Sequence, residues 1–221
     1  VDTKLALDKV YILAGTSDLK KYGITKENNP LLYKDIMAFY TAAGDGAELH
    51  LLVVDEDKTL TEICAMDDGA PLRKLIDSAA GRIRLVGINV NPGADYEPEI
   101  TKCIDPDVVT AVTAAQQVGS NYLEKIAPFV VLLPALAWSG ETTGLYQPRE
   151  GSQDSVSVVL ASDGKVGNGK FYSAAIGQVL GRLATCAVNI SIARVRDGSI
   201  AAEGWLTDGK KPCLLYTSPS P

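Results

Sequence analysis

Gly177-Gln178-Val179-Leu180-Gly181-Arg182-Leu183-Ala184-Thr185, then Cys186 to Ile192, then Ala193-Arg194-Val195-Arg196-Asp197-Gly198, is the stretch that decides how this chain folds. It reads as a helix of small residues, a short apolar strand and a charged Asp-Gly turn. Gly177 and Gly181 stand four apart on one helix face, and Ala184 follows three later, so another backbone can come close there. Each glycine inside a helix costs roughly 1 kcal/mol against alanine, and that cost signals tight packing. No nucleophile, paired carboxylate or metal-ligand cluster sits in the stretch, which suits packing and assembly rather than chemistry. The expected subunit interface is Gly177, Gly181, Arg182, Arg194, Arg196 and Asp197. The three arginines could pair with carboxylates of a neighbouring subunit or equally within the chain.

The helix-then-strand step recurs upstream. Lys9–Leu13 is apolar and β-rich, and Gly15-Thr16-Ser17-Asp18 supplies the cap of a short helix that Gly23 follows. Pro30 opens a better helix that Gly44 closes, and the nearly continuous apolar run Ala47–Val54 is a strand covered on both faces. A weak helix near Leu60–Met66, a helix over Pro71–Ala80 and a strand over Ile83–Val90 come next, the last ended by Asn91-Pro92-Gly93. Asp105 caps a helix that Pro106 begins and that runs to about Ile126, with Val108, Val109, Val112, Ala115 and Val118 toward the core. Phe129–Leu133 is a central strand, Ser155–Leu160 another, Gly164–Gly169 a turn, Ser173–Ala184 a helix and Val188–Arg194 a strand. This alternation predicts an α/β fold, a largely parallel or mixed sheet flanked by helices. One domain over residues 1–212 is expected, and the Gly-, Ser-, Thr- and Pro-rich loop 138–154 is long enough to be functional or mobile.

Composition sets the limits. With 221 residues, 46% hydrophobic and 22% charged, the chain is globular and can bury a sizeable core. A net charge of −6 argues against nucleic acid as a partner, because phosphate binding needs clustered Lys and Arg. No run approaches the length of a membrane span. Cys213-Leu214-Leu215-Tyr216-Thr217-Ser218-Pro219-Ser220-Pro221 looks foreign to what precedes it and matches an in-frame translation of a sequencing-library adapter. Native sequence is therefore expected to stop near Pro212, leaving a C-terminally truncated fragment. The remaining Cys64, Cys103 and Cys186 are odd in number and form no CxxC pair, so they read as free thiols, not a disulfide framework or zinc site.

Several patterns invite a chemical reading. Gly164-Lys165-Val166-Gly167-Asn168-Gly169-Lys170-Phe171 satisfies G-x-x-x-x-G-K, the one alternative function with a motif behind it, nucleotide binding. Phe171 stands where a Mg²⁺-binding hydroxyl belongs, and the Asp163-Gly164 and Asn168-Gly169 dipeptides make a surface turn the plainer reading. Ala14-Gly15-Thr16-Ser17 lacks dinucleotide-loop spacing. Ser139 has no nucleophile-elbow setting, and His50, the single histidine, sits mid-strand, so a Ser-His hydrolase is rejected. The acidic groups Asp55-Glu56-Asp57, Asp67-Asp68 and Glu97/Glu99 lack a calcium-loop pattern. Tyr122, Trp138 and Tyr146 could form a binding face around the long loop or cap the edge of the core. No enzyme activity and no cofactor are expected.

The pattern G-x-x-L-G-R-L-A at Gly177–Ala184, followed by R-V-x-D-G at Arg194–Gly198, resembles contractile phage tail sheath proteins. Tyr33-Lys34-Asp35-Ile36 through Phe39-Tyr40, then Ala43-Gly44-Asp45-Gly46-Ala47-Glu48-Leu49, looks like the Y-x-x-I-x-x-F-Y … A-G-x-G-A-E-L segment of a sheath-like family of phages and prophages. Gly81–Ile88 resembles the strand that follows, and the likeness spans most of residues 9–200, with the family's closing domain and arm missing. The resemblance implies a structural subunit that stacks around a tail tube and contracts without ATP, using energy stored in the extended lattice. Its implied partners are copies of itself as a homo-oligomer, the tail tube protein, and baseplate or tail terminator proteins. Its implied location is the virion tail, assembled in the bacterial host cytoplasm. No catalytic residues come with the resemblance.

Overall fold

The computed structural model describes residues 4–90, 92, 96, 97, 99–125, 127–165, 172–186, 205 and 206. The chain is mixed α/β. Strand β1 (Val10–Leu13) leads through α1 (Ser17–Tyr22) and α2 (Pro30–Ala43) to β2 (Leu49–Leu52). Two short helices, α3 (Leu60–Ile63) and α4 (Pro71–Ser78), precede β3 (Leu85–Gly87). The long α5 (Pro106–Lys125) then delivers β4 (Val130–Pro134), and β5 (Val156–Val159) follows a loop holding one 3-10 turn, Pro148–Gly151. Next come β6 (Ala161–Gly164), β7 (Ser173–Ala174), α6 (Ile176–Thr185) and β8 (Trp205–Leu206).

Only β3, β4 and β5 are parallel, with β4 in the centre as its apolar run predicts. β1 pairs β2 antiparallel, and β6 pairs both β7 and β8 antiparallel. Among the described residues the strands thus form three separate sheets, one parallel and two antiparallel, in place of the one largely parallel or mixed sheet expected.

β4 shows why the layers form. Side chains alternate across a strand, and here Val131 and Leu133 join Val108, Val112, Ala115 and Val118 of α5, while Leu132 faces the other way, toward Ile176 and Val179 of α6. The sheet thus lies between α5 with α3 and α4 on one side and α6 on the other. A second core gathers Leu13, Leu19, Ile36, Phe39 and Tyr40 from β1, α1 and α2. Tyr122 is buried in the main core, and Trp138 and Tyr146 pack against it, so these aromatics serve the core edge.

The caps explain the helix starts. Asp105 accepts the Asp107 amide at 2.8 Å, as its place before Pro106 predicts. For α1 the cap differs from expectation: Thr16 makes no side-chain cap bond, and its own amide donates to Asp45 Oδ1 at 2.9 Å. The short α3 is held twice, by a Thr59–Glu62 capping box and by the Asp107 carboxylate, which accepts the Leu60 amide at 2.8 Å and the Thr61 amide at 3.2 Å. Four residues cannot hold a helix alone. Asp107→Ala is therefore expected to lose about 2 kcal/mol of stability, read as a lower urea midpoint with an unchanged slope.

Two expected elements shift. The polar β6, Ala161-Ser162-Asp163-Gly164, extends a region expected to turn, and the helix expected from Ser173 begins at Ile176, because Ser173 and Ala174 pair with β6 instead. The long loop 138–154 is fastened: Ser139 donates its amide to the Cys103 carbonyl at 2.9 Å and Tyr146 to that of Lys102 at 3.0 Å.

Candidate functional site

The carboxyl end of β3 is where α2, α6 and the β6–β7 pair converge. Gly87 closes β3, and a Cβ there would lie 2.5 Å from Ile176 Cγ2, so α6 starts directly against strand backbone. From that start α6 runs along α2. A Cβ on Gly177 would fall inside the Asp35 carbonyl, and one on Gly181 would lie 2.6 Å from the Phe39 carbonyl oxygen. The glycine face does meet another backbone closely, as the spacing predicts. That backbone is α2 of the same chain, which corrects the placing of Gly177 and Gly181 at a subunit interface: both are buried inside the protomer. Arg182 is half-buried in the last turn of α6. Arg194, Arg196 and Asp197, the rest of the expected interface, lie outside the described residues, as does most of the Gly164–Lys170 loop.

Above this seam sits a buried polar cluster. Lys34 on α2 reaches across to Asp163 of β6, donating to its Oδ1, and donates to Ser173 Oγ of β7 at 2.8 Å. Its ammonium also stands 3.4 Å from Asp35 Oδ1. Asn89, two residues beyond β3, donates through Nδ2 to Asp35 Oδ2 at 2.9 Å and to the Ala174 carbonyl at 3.1 Å. Ser173 Oγ in turn donates a hydrogen bond to the Gly164 carbonyl at 3.0 Å. The Asp163 side chain is only 5% exposed, so the Asp163-Gly164 dipeptide is an interior strand end and not the solvated turn expected from its type.

One ammonium here serves two carboxylates. Burial raises the carboxyl of Asp35 above the ordinary range against the pull of Lys34 and of Asn89, with the Asp163 charge adding to the rise. Burial likewise raises Asp163, again opposed by Lys34. A carboxyl raised on folding binds a proton that the unfolded chain has already released. Its contribution to stability is complete below the ordinary carboxylate range and is lost as pH climbs through the raised folded value. Asp35→Asn keeps the acceptor for Asn89 and removes one buried charge. Its urea midpoint is expected to be less pH-dependent than that of the parent, gaining on the parent steadily as pH rises above the carboxylate range.

The cluster fastens three elements to one another; it presents no activated nucleophile. The sequence-predicted weak candidates stay apart. His50 lies in β2 with Nε2 2.7 Å from Glu48 Oε1, whereas Ser139 sits in the long loop, its Oγ accepting the Glu141 amide at 3.2 Å. Cys64 is buried and its thiol is pushed up to about 12 by desolvation, with the Asp107 charge adding to it. Among the described residues no group of three or more His, Cys, Asp or Glu side chains could hold a metal ion, and no helix is long and apolar enough to cross a membrane. Sequence reasoning did not single out Lys34, Asp35, Asn89, Asp163 or Ser173 as a group. Only the charged pair Lys34-Asp35 within an otherwise apolar helix carried any hint of it.

A parallel three-stranded sheet between helices, with a glycine seam joining α6 to α2 and a polar cluster tying α2 to β6 and β7, defines an α/β domain. The chain belongs to the family described as DUF2586, N-terminal domain, which it matches over residues 1–213. Neither a curated protein nor a solved structure matches it.

Proposed function

We propose that this protein is a subunit of a contractile tail sheath, of a phage tail or a related contractile injection device. It polymerises around a tail tube and contracts without nucleotide hydrolysis. The observation that supports this reading is that two of the segments bearing the sheath resemblance meet in space. Tyr33–Tyr40 forms the face of α2, Gly177–Ala184 forms α6, and the glycines of the second seat on the backbone of the first. A family pattern that coincides with one packing unit is what a shared scaffold requires, since both halves must change together to preserve the fit. Head-to-tail contacts that do not close build a helical tube. The tube protein and the baseplate or terminator proteins complete the assembly, in the virion tail after assembly in the host cytoplasm.

The test is assembly. The complete open reading frame, expressed with its neighbouring genes, is expected to yield hollow helical tubes in negative-stain electron microscopy. A complete gene product that stays monomeric across salt, pH and concentration overturns the reading.

A further inference from the structure

The polar cluster above the glycine seam is short of donors. Among the described residues three of its buried oxygens, Asp35 Oδ1, Asn89 Oδ1 and Asp163 Oδ2, have no hydrogen-bond partner. Its charged groups are one ammonium, Lys34, and two carboxyls, Asp35 and Asp163. Buried acceptors need donors, and buried charge needs its counter-charge. One proton answers both shortages, because it cancels the surplus negative charge and turns an acceptor into a donor.

Geometry decides which carboxyl takes it. Enclosure alone favours Asp163, whose side chain is 5% exposed against 16% for Asp35. Contact with the cation favours the opposite assignment. Lys34 donates directly to Asp163 Oδ1, and a hydrogen bond from an ammonium holds a carboxylate ionised. The same ammonium stands off from Asp35 Oδ1 at 3.4 Å, a weaker hold. Asn89 separates the two carboxyls further. Its Nδ2 donates to Asp35 Oδ2 at 2.9 Å, and the oxygen of that same amide is one of the three without a partner. A carboxylic acid and an amide can each give and take a hydrogen bond, whereas a carboxylate can only take. The other elements here leave that balance alone. Ser173 of β7 accepts from Lys34 and donates to the Gly164 carbonyl, and α6 meets Asp35 through Gly177, which has no side chain.

We propose that Asp35 is the acid of this cluster, keeping a proton on Oδ1 against the Asn89 amide at pH values where Asp163 is ionised, and that losing it loosens the junction of α2 with the β6–β7 pair. Burial acts in the same direction, raising Asp35 against the pull of Lys34. The junction responds because its two links both pass through Asp35. Asn89 Nδ2 also donates to the Ala174 carbonyl of β7 at 3.1 Å, so it ties Asp35 to that strand. Lys34, next to Asp35 on α2, is drawn off Asp163 and Ser173 once a second full negative charge stands beside it. The inference does not depend on the tail-sheath reading.

A carboxyl titration by nuclear magnetic resonance tests it in the full chain. Protein labelled with ¹³C and ¹⁵N is taken from acid to alkaline pH, and each aspartate Cγ is assigned through its own backbone, so the reading needs no variant to fold. Asp35 is expected to ionise after Asp163 and after exposed aspartates such as Asp55 and Asp68. Across that step the nuclear Overhauser contacts between the Lys34 side chain and Ser173 are expected to weaken. In Asp35→Asn, which stays uncharged, those contacts are expected to persist over the same pH range. Asp163 ionising after Asp35, or Asp35 ionising together with the exposed aspartates, would overturn the assignment. Lys34–Ser173 contacts that persist unchanged while Asp35 ionises would overturn the coupling to the junction.

Discussion

Replacing Lys34 with methionine is expected to cost the fold about 3–5 kcal/mol, the loss seen when one partner of a buried ion cluster is removed and charge is left uncompensated. Lys34 is the cation shared by Asp163 and Asp35, and Asp163 is almost wholly enclosed. Without it both carboxylates lose their shared cation, and Asp35 keeps the Asn89 Nδ2 donor. The methionine keeps the aliphatic bulk, so the loss reports charge and not a cavity. Urea denaturation at neutral pH measures it. Two companion experiments isolate the cause. Lowering the pH should return part of the lost stability, because protonating the two raised carboxyls removes the repulsion. Adding Asp35→Asn and Asp163→Asn to Lys34→Met should return most of it at neutral pH, since replacing all members of a buried ionic group is far milder than removing one. A Lys34→Met protein as stable as its parent would show that water reaches the cluster and screens it.

How much of this was legible in the sequence depends on what each feature rests on. Elements written in local chemistry were readable to within a few residues. Pro30 and Pro106 start their helices, Asp105 caps α5, and the unbroken apolar run at the centre of the sheet is β4. Gly177 and Gly181 announced a close backbone approach correctly, because glycine in a helix is tolerated for few other reasons. What they could not announce is whose backbone approaches. A spacing of four describes one face of one helix, and α2 is 142 residues away in sequence from the glycine it receives, counting from Asp35 to Gly177. The polar cluster was hidden for the same reason. Lys34 on α2, Asp163 on β6 and Asn89 in the loop after β3 are far apart in sequence, and each looks ordinary in its own neighbourhood. Strand β6 was unreadable because Ala161-Ser162-Asp163-Gly164 has no strand preference of its own; pairing with β7 and β8 imposes its conformation.

The seam between α2 and α6 should be the least forgiving place in the molecule. Gly177→Ala is expected to cost about 3 kcal/mol, the upper end of overpacking losses, and Gly177→Val to abolish cooperative unfolding. The reason is what the added carbon meets. At Gly177 all three nearest atoms are main chain, the carbonyl oxygen, carbonyl carbon and Cα of Asp35. A clash with a flexible side-chain tip is relieved by a rotamer change, whereas main chain in the middle of a helix yields only if the helix moves. Shifting α2 would also drag Lys34 and Asp35 away from Asp163 and Asn89, so the seam and the ion cluster fail together. Gly181→Ala should be milder, because one of its three contacts is the Ala42 methyl, which stands on the last turn of α2 where the helix can fray. The ordering Gly177→Val worse than Gly177→Ala, and that worse than Gly181→Ala, is read from urea midpoints and from loss of near-ultraviolet circular dichroism. Equal, small losses at both glycines would mean that the two helices slide freely past each other. A double-mutant cycle sharpens the point: Gly177→Ala combined with Lys34→Met should cost less than the sum of the two, because a helix already displaced has lost the pairing that the second change removes.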